Sequence, residues 1–342
     1  MMRWNARVWY RPPTQEDAFL PEGPRLLQWQ GQPWVIWVNI QLHAQATQGR
    51  IHLLQVDPKT WAPSRCESLI CPGRPGFVLP TDQEGVVLVG MDHALYLLDW
   101  VQQQWSAPLV ELPQRHPRTT INDGEVTPDG QAIVFGTKDV LFREPLGHLY
   151  LYDLPRRRLH VLAEGQTCSN GKVLRQEAEG LILYDIDTPT RQVRKYRLEV
   201  DSGRAELLGV ALDLHGWEGF PDGMCAADEN SVIIALYHPG ERESGRAVRF
   251  DLLSQQAVEE WDVPFSPRVT CPLLLPPDRS SGGGAQLLLT TADEGMPPEI
   301  RQRNPNVGCL FLAPTGVSAA PPPAMVRIRA TGVSFVPGGE KG

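Results

Sequence analysis

The segment FPDGMCAADENSVIIALY (220–237) places Pro-Asp-Gly ahead of an apolar run, a polar turn at 228–230 and a second, stronger apolar run. GRAVRFD (245–251) and QAVEEWDV (256–263) follow, so four strand-like stretches succeed one another. Their Val, Ile, Tyr and Phe content and the turn residues between them mark β-structure. Pro-Asp-Gly also occurs in VTPDGQAIVFG (126–136), but there it separates two apolar runs, where a hairpin turn belongs. Asp129 is therefore read as a turn residue. Asp222 stands ahead of the first strand of its unit and is not explained that way.

The same order recurs along the chain. Glu22-Gly23, Pro75-Gly76, Asp123-Gly124 and Asn170-Gly171 each lead into a comparable unit. Thr270-Cys271 opens a sixth, whose last strand is read as AMVRIRA (324–330). The leading positions are spaced by 53, 48, 47, 52 and 48 residues. Each interval fits a four-stranded propeller blade. The expected fold is all-β: a six-bladed β-propeller with four antiparallel strands per blade and a central metal site. One domain is expected over 1–335, with 336–342 a flexible C-terminal tail. SSGGG (280–284) reads as a flexible loop. NARVWYR (5–11) is expected to pair as an extra strand with the last blade, closing the ring and protecting a sheet edge.

Composition excludes several function classes. The formal charge is −8, and the longest basic run, Arg156-Arg157-Arg158, follows Pro155 as a solvated turn. A nucleic-acid surface needs a basic excess that this chain lacks. The N-terminal stretch has no signal-peptide core, and no apolar run reaches membrane-spanning length. A cytoplasmic location without membrane association is expected, as a monomer or small homo-oligomer. Cys66, Cys71, Cys168, Cys225, Cys271 and Cys309 show no CxxC spacing. They are read as thiols, mostly buried, and not as a disulfide framework.

The first strand of a propeller blade lies nearest the central channel, so the leading residues ring one mouth. That ring is Glu22, Pro75, Asp123 with Asn122 beside it, Asn170, Asp222 and Thr270. Carboxylates crowded around one axis repel each other unless a cation sits between them. Oxygen donors suit Ca²⁺, Mg²⁺ or Mn²⁺, whereas Zn²⁺ usually takes His or Cys. No histidine falls at a leading position. A lone Asp or Asn is ordinarily a turn former; four acidic or amide residues at equivalent positions point to a site. Asp185 and Asp187 form a second candidate pair, with a turn or strand-end role favoured for Asp187. His238 reads as a loop residue beside the mouth.

LPEGPR (20–25), INDGEVTPDG (121–130) with FGT (135–137), CSNGKV (168–173), DIDTPTRQVRKYRLE (185–199) and FPDGMCAADE (220–229) occur in this order. On these motifs the chain resembles the regucalcin/gluconolactonase (senescence marker protein) family of six-bladed propeller lactonases, from residue 20 to 317. The resemblance implies one divalent ion, Ca²⁺, Mn²⁺, Mg²⁺ or Zn²⁺, held by Glu22, Asn170 and Asp222. Asn122 is similar to the family's substrate-side asparagine. The family often has arginine two residues before it; here that position is Thr120, assigned to the substrate side, with Arg118 two residues further back. The family's acidic residue after Gly-Thr corresponds to Asp139 or Glu144. The turn between Glu22 and WVN (37–39) reads as longer than usual.

The implied reaction is hydrolysis of a sugar lactone, a small-molecule substrate. The ion polarises the carbonyl and lowers the pKa of a bound water, and Asp222 accepts the proton. The same site would serve another ester or a phosphotriester, and a non-catalytic calcium-binding propeller is the third reading. There is no GxSxG motif, and no histidine lies close in sequence to Cys168 or Cys225, so a nucleophilic serine or cysteine is disfavoured.

Overall fold

The computed structural model describes residues 1–113, 115–277 and 284–328. Two short strands, β1 (Met2–Asn5) and β2 (Arg7–Tyr10), precede the repeats. Blade one is β3 (Pro21–Trp29), β4 (Gln32–Asn39), β5 (Arg50–Val56) and β6 (Pro63–Ile70). Blade two is β7 (Pro75–Pro80), β8 (Val86–Met91) and β9 (Ala94–Asp99), with its outer strand broken into β10 (Gln104–Trp105) and β11 (Val110–Glu111). Blade three is β12 (Thr119–Val126), β13 (Ala132–Asp139), β14 (Gly147–Asp153) and β15 (Arg158–Gln166). Blade four is β16 (Ser169–Glu177), β17 (Gly180–Asp187), β18 (Gln192–Glu199) and β19 (Arg204–Asp213). Blade five is β20 (Phe220–Ala226), β21 (Ser231–Tyr237), β22 (Ser244–Asp251) and β23 (Ala257–Pro264). Blade six is β24 (Val269–Leu275), β25 (Gln286–Thr291) and β26 (Leu310–Pro314), and its fourth strand is β2. Six antiparallel sheets in this order make the expected six-bladed propeller.

Sheet stacking explains the apolar runs. The second strands β8 and β13 are buried at every residue, because each is covered by a neighbouring blade on both faces. Outer strands such as β6 and β19 are largely exposed. The side chains between blades form the apolar core; Phe77, Phe135 and Tyr150, for example, pack in one cluster with Ile121 and Val126.

Ring closure differs from expectation in one respect. The N-terminal segment does pair with the last blade, but β2 supplies its fourth strand and is not an addition to four others. β1 runs parallel to β23, so the same segment clasps blades five and six together. AMVRIRA is therefore not the outer strand of blade six. Its described part runs beneath the channel: Val326 donates its N–H to Pro80 O and bridges Thr81, and the Arg327 N–H bonds Gly130 O. Covalent linkage leaves the last strand position open to either terminus, and β2 takes it. The first hairpin turn is also shorter than the sequence suggests. Gln30 and Gly31 form a two-residue turn with both φ angles positive, as a type I′ turn requires. The 336–342 tail lies outside the described residues, as does all of the 280–284 loop except Gly284.

The leading residues lie inside the innermost strands and not ahead of them. Each innermost strand breaks register at its leading position: between Glu22 and Arg25, Pro75 and Phe77, Ile121 and Asp123, Asn170 and Lys172, Pro221 and Met224, and Val269 and Pro272. A bulge re-aims side chains locally, and here it recurs in all six blades. The glycine that follows is needed because neighbouring blades approach closely. A Cβ on Gly171 would lie 2.6 Å from Met224 Cβ, and one on Gly223 would lie 2.6 Å from Cys271 Sγ.

Candidate metal centre and cavity

At one end of the channel lies an open cavity of about 460 Å³. Four residues from the leading ring line it: Glu22, Asn122, Asn170 and Asp222. The other leading positions do not. Thr270 Oγ1 is spent on Pro21 O (2.7 Å) and Thr290 Oγ1 (2.7 Å), tying blade six to blade one. Asp123 accepts the Gly124 N–H at 2.7 Å.

The amides are tightly positioned. Asn122 Nδ2 donates to Asn170 Oδ1 (2.9 Å) and to Ser169 O (2.8 Å). Asn170 Nδ2 donates to Thr188 Oγ1 (2.8 Å), which donates to Pro221 O (2.9 Å). Blades three, four and five are thus linked through one amide chain. Below it, the buried Lys172 ammonium donates to Asn170 O and Ser169 Oγ, both at 2.7 Å, and pairs with Asp185 at 3.2 Å. That places Asp185 in a structural ion pair. Asp187 accepts the N–H groups of Thr167 and Cys168, the strand-end role expected for it.

The carboxylates are electrostatically frustrated. Burial, then the nearby Asp123 charge, push the Glu22 carboxyl up to about 8. Burial and the Glu22 charge raise Asp222 well above the ordinary carboxylate range. Among the described residues, neither oxygen of Asp222 accepts a hydrogen bond, and Glu22 accepts only the adjacent Gly23 N–H, at 3.0 Å. No three His, Cys, Asp or Glu side chains converge as a metal-holding group among the described residues. The available donor set is two carboxylates and one amide oxygen. Buried like charges with free lone pairs fit a hard divalent cation, whose charge would remove their repulsion.

Other expected residues fall elsewhere. Thr120 is not on the cavity wall: its hydroxyl ends on Asp92 O of the neighbouring blade two, at 3.4 Å. Asp139 is wholly buried beneath the loop that follows β13. It accepts the N–H groups of Leu141, Arg143 and Glu144 and a two-point contact from Arg118, which holds its carboxyl well below the usual range. Glu144 is exposed and pairs with Arg118 at 2.6 Å. Neither acid reaches the cavity, and Arg118 is committed to them. His238 does not line the cavity, although Tyr237 and Pro239 beside it do. Asp129 is a turn residue, accepting the Gln131 N–H at 3.0 Å.

All six cysteines are free thiols. Cys168 lines the cavity, but burial pushes its thiol up to about 12, which leaves no thiolate at neutral pH. Three charged lining residues were not anticipated from sequence: Lys138 at the end of β13, Arg268 ahead of β24, and Glu294, which accepts from Tyr237 Oη at 3.3 Å. None stands at a leading position of the repeat, so periodicity carried no signal for them.

A family profile described as SMP-30/Gluconolactonase/LRE-like region matches residues 20–292. Regucalcin of Danio rerio is 26% identical over 251 residues, covering 72% of this chain and 79% of the relative. A Bacillus subtilis protein named putative sugar lactone lactonase YvrE is 27% identical over 201 residues, covering 58% of this chain and 63% of its own. The crystal structure of a calcium-binding protein, regucalcin, from Agrobacterium tumefaciens superimposes with a TM-score of 0.75 at 21% identity, covering 95% of this chain and 98% of that one. The last likeness is one of fold. With the profile spanning most of the chain and all six blades in place, the chain belongs to the SMP-30/gluconolactonase/LRE-like family.

Proposed function

We propose that the protein is a divalent-cation-dependent hydrolase that opens the ring ester of a sugar lactone. The observation that carries this reading is the pair of crowded, unsatisfied carboxylates, Glu22 and Asp222, converging with the Asn170 amide on one cavity. Those three side chains would hold Ca²⁺, Mn²⁺, Mg²⁺ or Zn²⁺. When bound, such a cation supplies Lewis acidity toward a carbonyl oxygen.

The chain's own groups do the rest. Asp222 lines the cavity with a carboxylate that accepts no hydrogen bond among the described residues, so it has a lone pair free to take a proton from a water. Asn122 has both amide hydrogens committed to Ser169 and Asn170. It therefore offers its Oδ1 to the cavity, as an acceptor for a substrate hydroxyl. Asn170 is held from two sides, so its oxygen is preorganised.

The test is hydrolysis of a lactone panel by metal-stripped protein, with each cation restored in turn, beside Asp222→Ala. Cation-restored turnover that falls at least about a thousandfold in the variant is expected. Unchanged turnover in Asp222→Ala would remove the base from the scheme.

A further inference from the structure

We propose that Lys138 is a specificity-determining residue that receives an anionic group, a carboxylate or a phosphate, on the substrate. The proposal rests on the cyclic-ester reading of the same cavity. Lys138 lies at the end of β13, is 6% exposed and lines the cavity. Among the described residues its ammonium makes no hydrogen bond and no ion pair. Its one close partner is the ring of Phe142, with the centroid 5.2 Å away. The lysine stem is buried, and its ammonium, without a protein acceptor, faces a volume large enough for a small molecule.

The surrounding groups exclude the simpler roles. The acid next to it in sequence, Asp139, is consumed by Arg118 and three backbone N–H groups. The charge of Lys138 is felt by Glu22 and Asp222, but neither comes within ion-pair distance. Its cross-strand partner is Thr120, whose small side chain leaves room for the lysine stem. Arg268, the other cation of the wall, is tied instead to Pro239 O and Asp293 O and lies over the Tyr237 ring.

The charge balance agrees. Three carboxylates, Glu22, Asp222 and Glu294, and two cations, Lys138 and Arg268, line the cavity, a net single negative charge when all five are ionised. A divalent cation on Glu22 and Asp222 turns that into a net single positive charge. An anionic substituent neutralises it, whereas a neutral lactone leaves the ammonium unpaired.

The experiment uses the full chain loaded with Mn²⁺, with Lys138→Met and Lys138→Arg. Calorimetric binding of sorbitol 6-phosphate is compared with that of sorbitol. kcat/KM is measured on δ-gluconolactone, its 6-phosphate, and a glucaric acid monolactone bearing a free carboxylate. Wild type should bind sorbitol 6-phosphate at least about tenfold tighter than sorbitol. Lys138→Met should erase that preference, while Lys138→Arg retains most of it. For whichever anionic lactone is preferred, Lys138→Met should lower kcat/KM at least about tenfold more than for δ-gluconolactone, chiefly through KM. The phosphate and carboxylate arms identify the group received. Equal losses on all ligands, no preference in wild type, or a variant altered only in Mn²⁺ affinity would each overturn the proposal. Binding preference without hydrolysis of any lactone would sustain it and overturn the lactone chemistry instead.

Discussion

Replacing Glu22 by glutamine should stabilise the protein when no divalent cation is present, and only at high pH. The Glu22 carboxyl is moved from its ordinary 4.5 up to about 8 by burial and by the neighbouring acids. Between these values the folded chain holds a proton that the unfolded chain has released. Stability therefore falls as pH rises through that window, and the loss is complete above about 8. At about 1.4 kcal/mol per tenfold, the full penalty is about 5 kcal/mol. Water reaching a side chain on an open cavity reduces it, so about 2–5 kcal/mol is expected. The glutamine amide is uncharged and escapes the penalty. Thermal melts in chelator should place Glu22→Gln about 3–7 °C above wild type at about pH 9, with the two converging by about pH 4.5. Excess Ca²⁺ or Mn²⁺ should close most of the gap. Wild type gains about 2.7 kcal/mol at a hundredfold excess over Kd, and the variant, with one charged ligand lost, gains far less. Parallel pH profiles for the two proteins in chelator, or a variant less stable than wild type in alkali, would refute the view that the mouth is a frustrated cation site.

Asp139→Ala should cost about 3 kcal/mol in urea unfolding, because it orphans three backbone N–H groups and the Arg118 guanidinium. Since Arg118 depresses the Asp139 carboxyl, the difference between variant and wild type should be constant above the ordinary carboxylate pKa and vanish as pH falls through the depressed one. A constant difference at all pH values would mean packing and not charge is responsible. Truncation after Ala320 removes Val326 and Ile328 from the core between blades two and three and should destabilise the chain by about 2–5 kcal/mol; an unchanged denaturation midpoint would show that the segment beneath the channel is dispensable.

The blade grammar was legible because it is local. Alternating apolar runs, hairpin turns such as that at Asp129, and glycines following most leading residues repeat at nearly constant spacing, and a repeat needs no knowledge of its neighbours to be read. The same spacing placed Glu22, Asn122, Asn170 and Asp222 at equivalent or adjoining positions, and all four do line the cavity. Equivalence in the repeat was not enough by itself, since Thr270 and Asp123 hold equivalent positions and turn to backbone partners.

Thus the sequence alone determined the number of blades, their order and four polar residues of the mouth, Glu22, Asn122, Asn170 and Asp222, because strand formation and turn chemistry act over a few residues. Only the closed ring decided the rest. Closure put β2 and not AMVRIRA into the open strand position of blade six, and it packed Thr120 against Asp92. It also brought Lys138, Arg268 and Glu294 from non-equivalent positions onto one wall. The physical reason is that side-chain direction at the mouth depends on the bulge in each inner strand and on the blade beside it, and both exist only once all six sheets are packed around the axis.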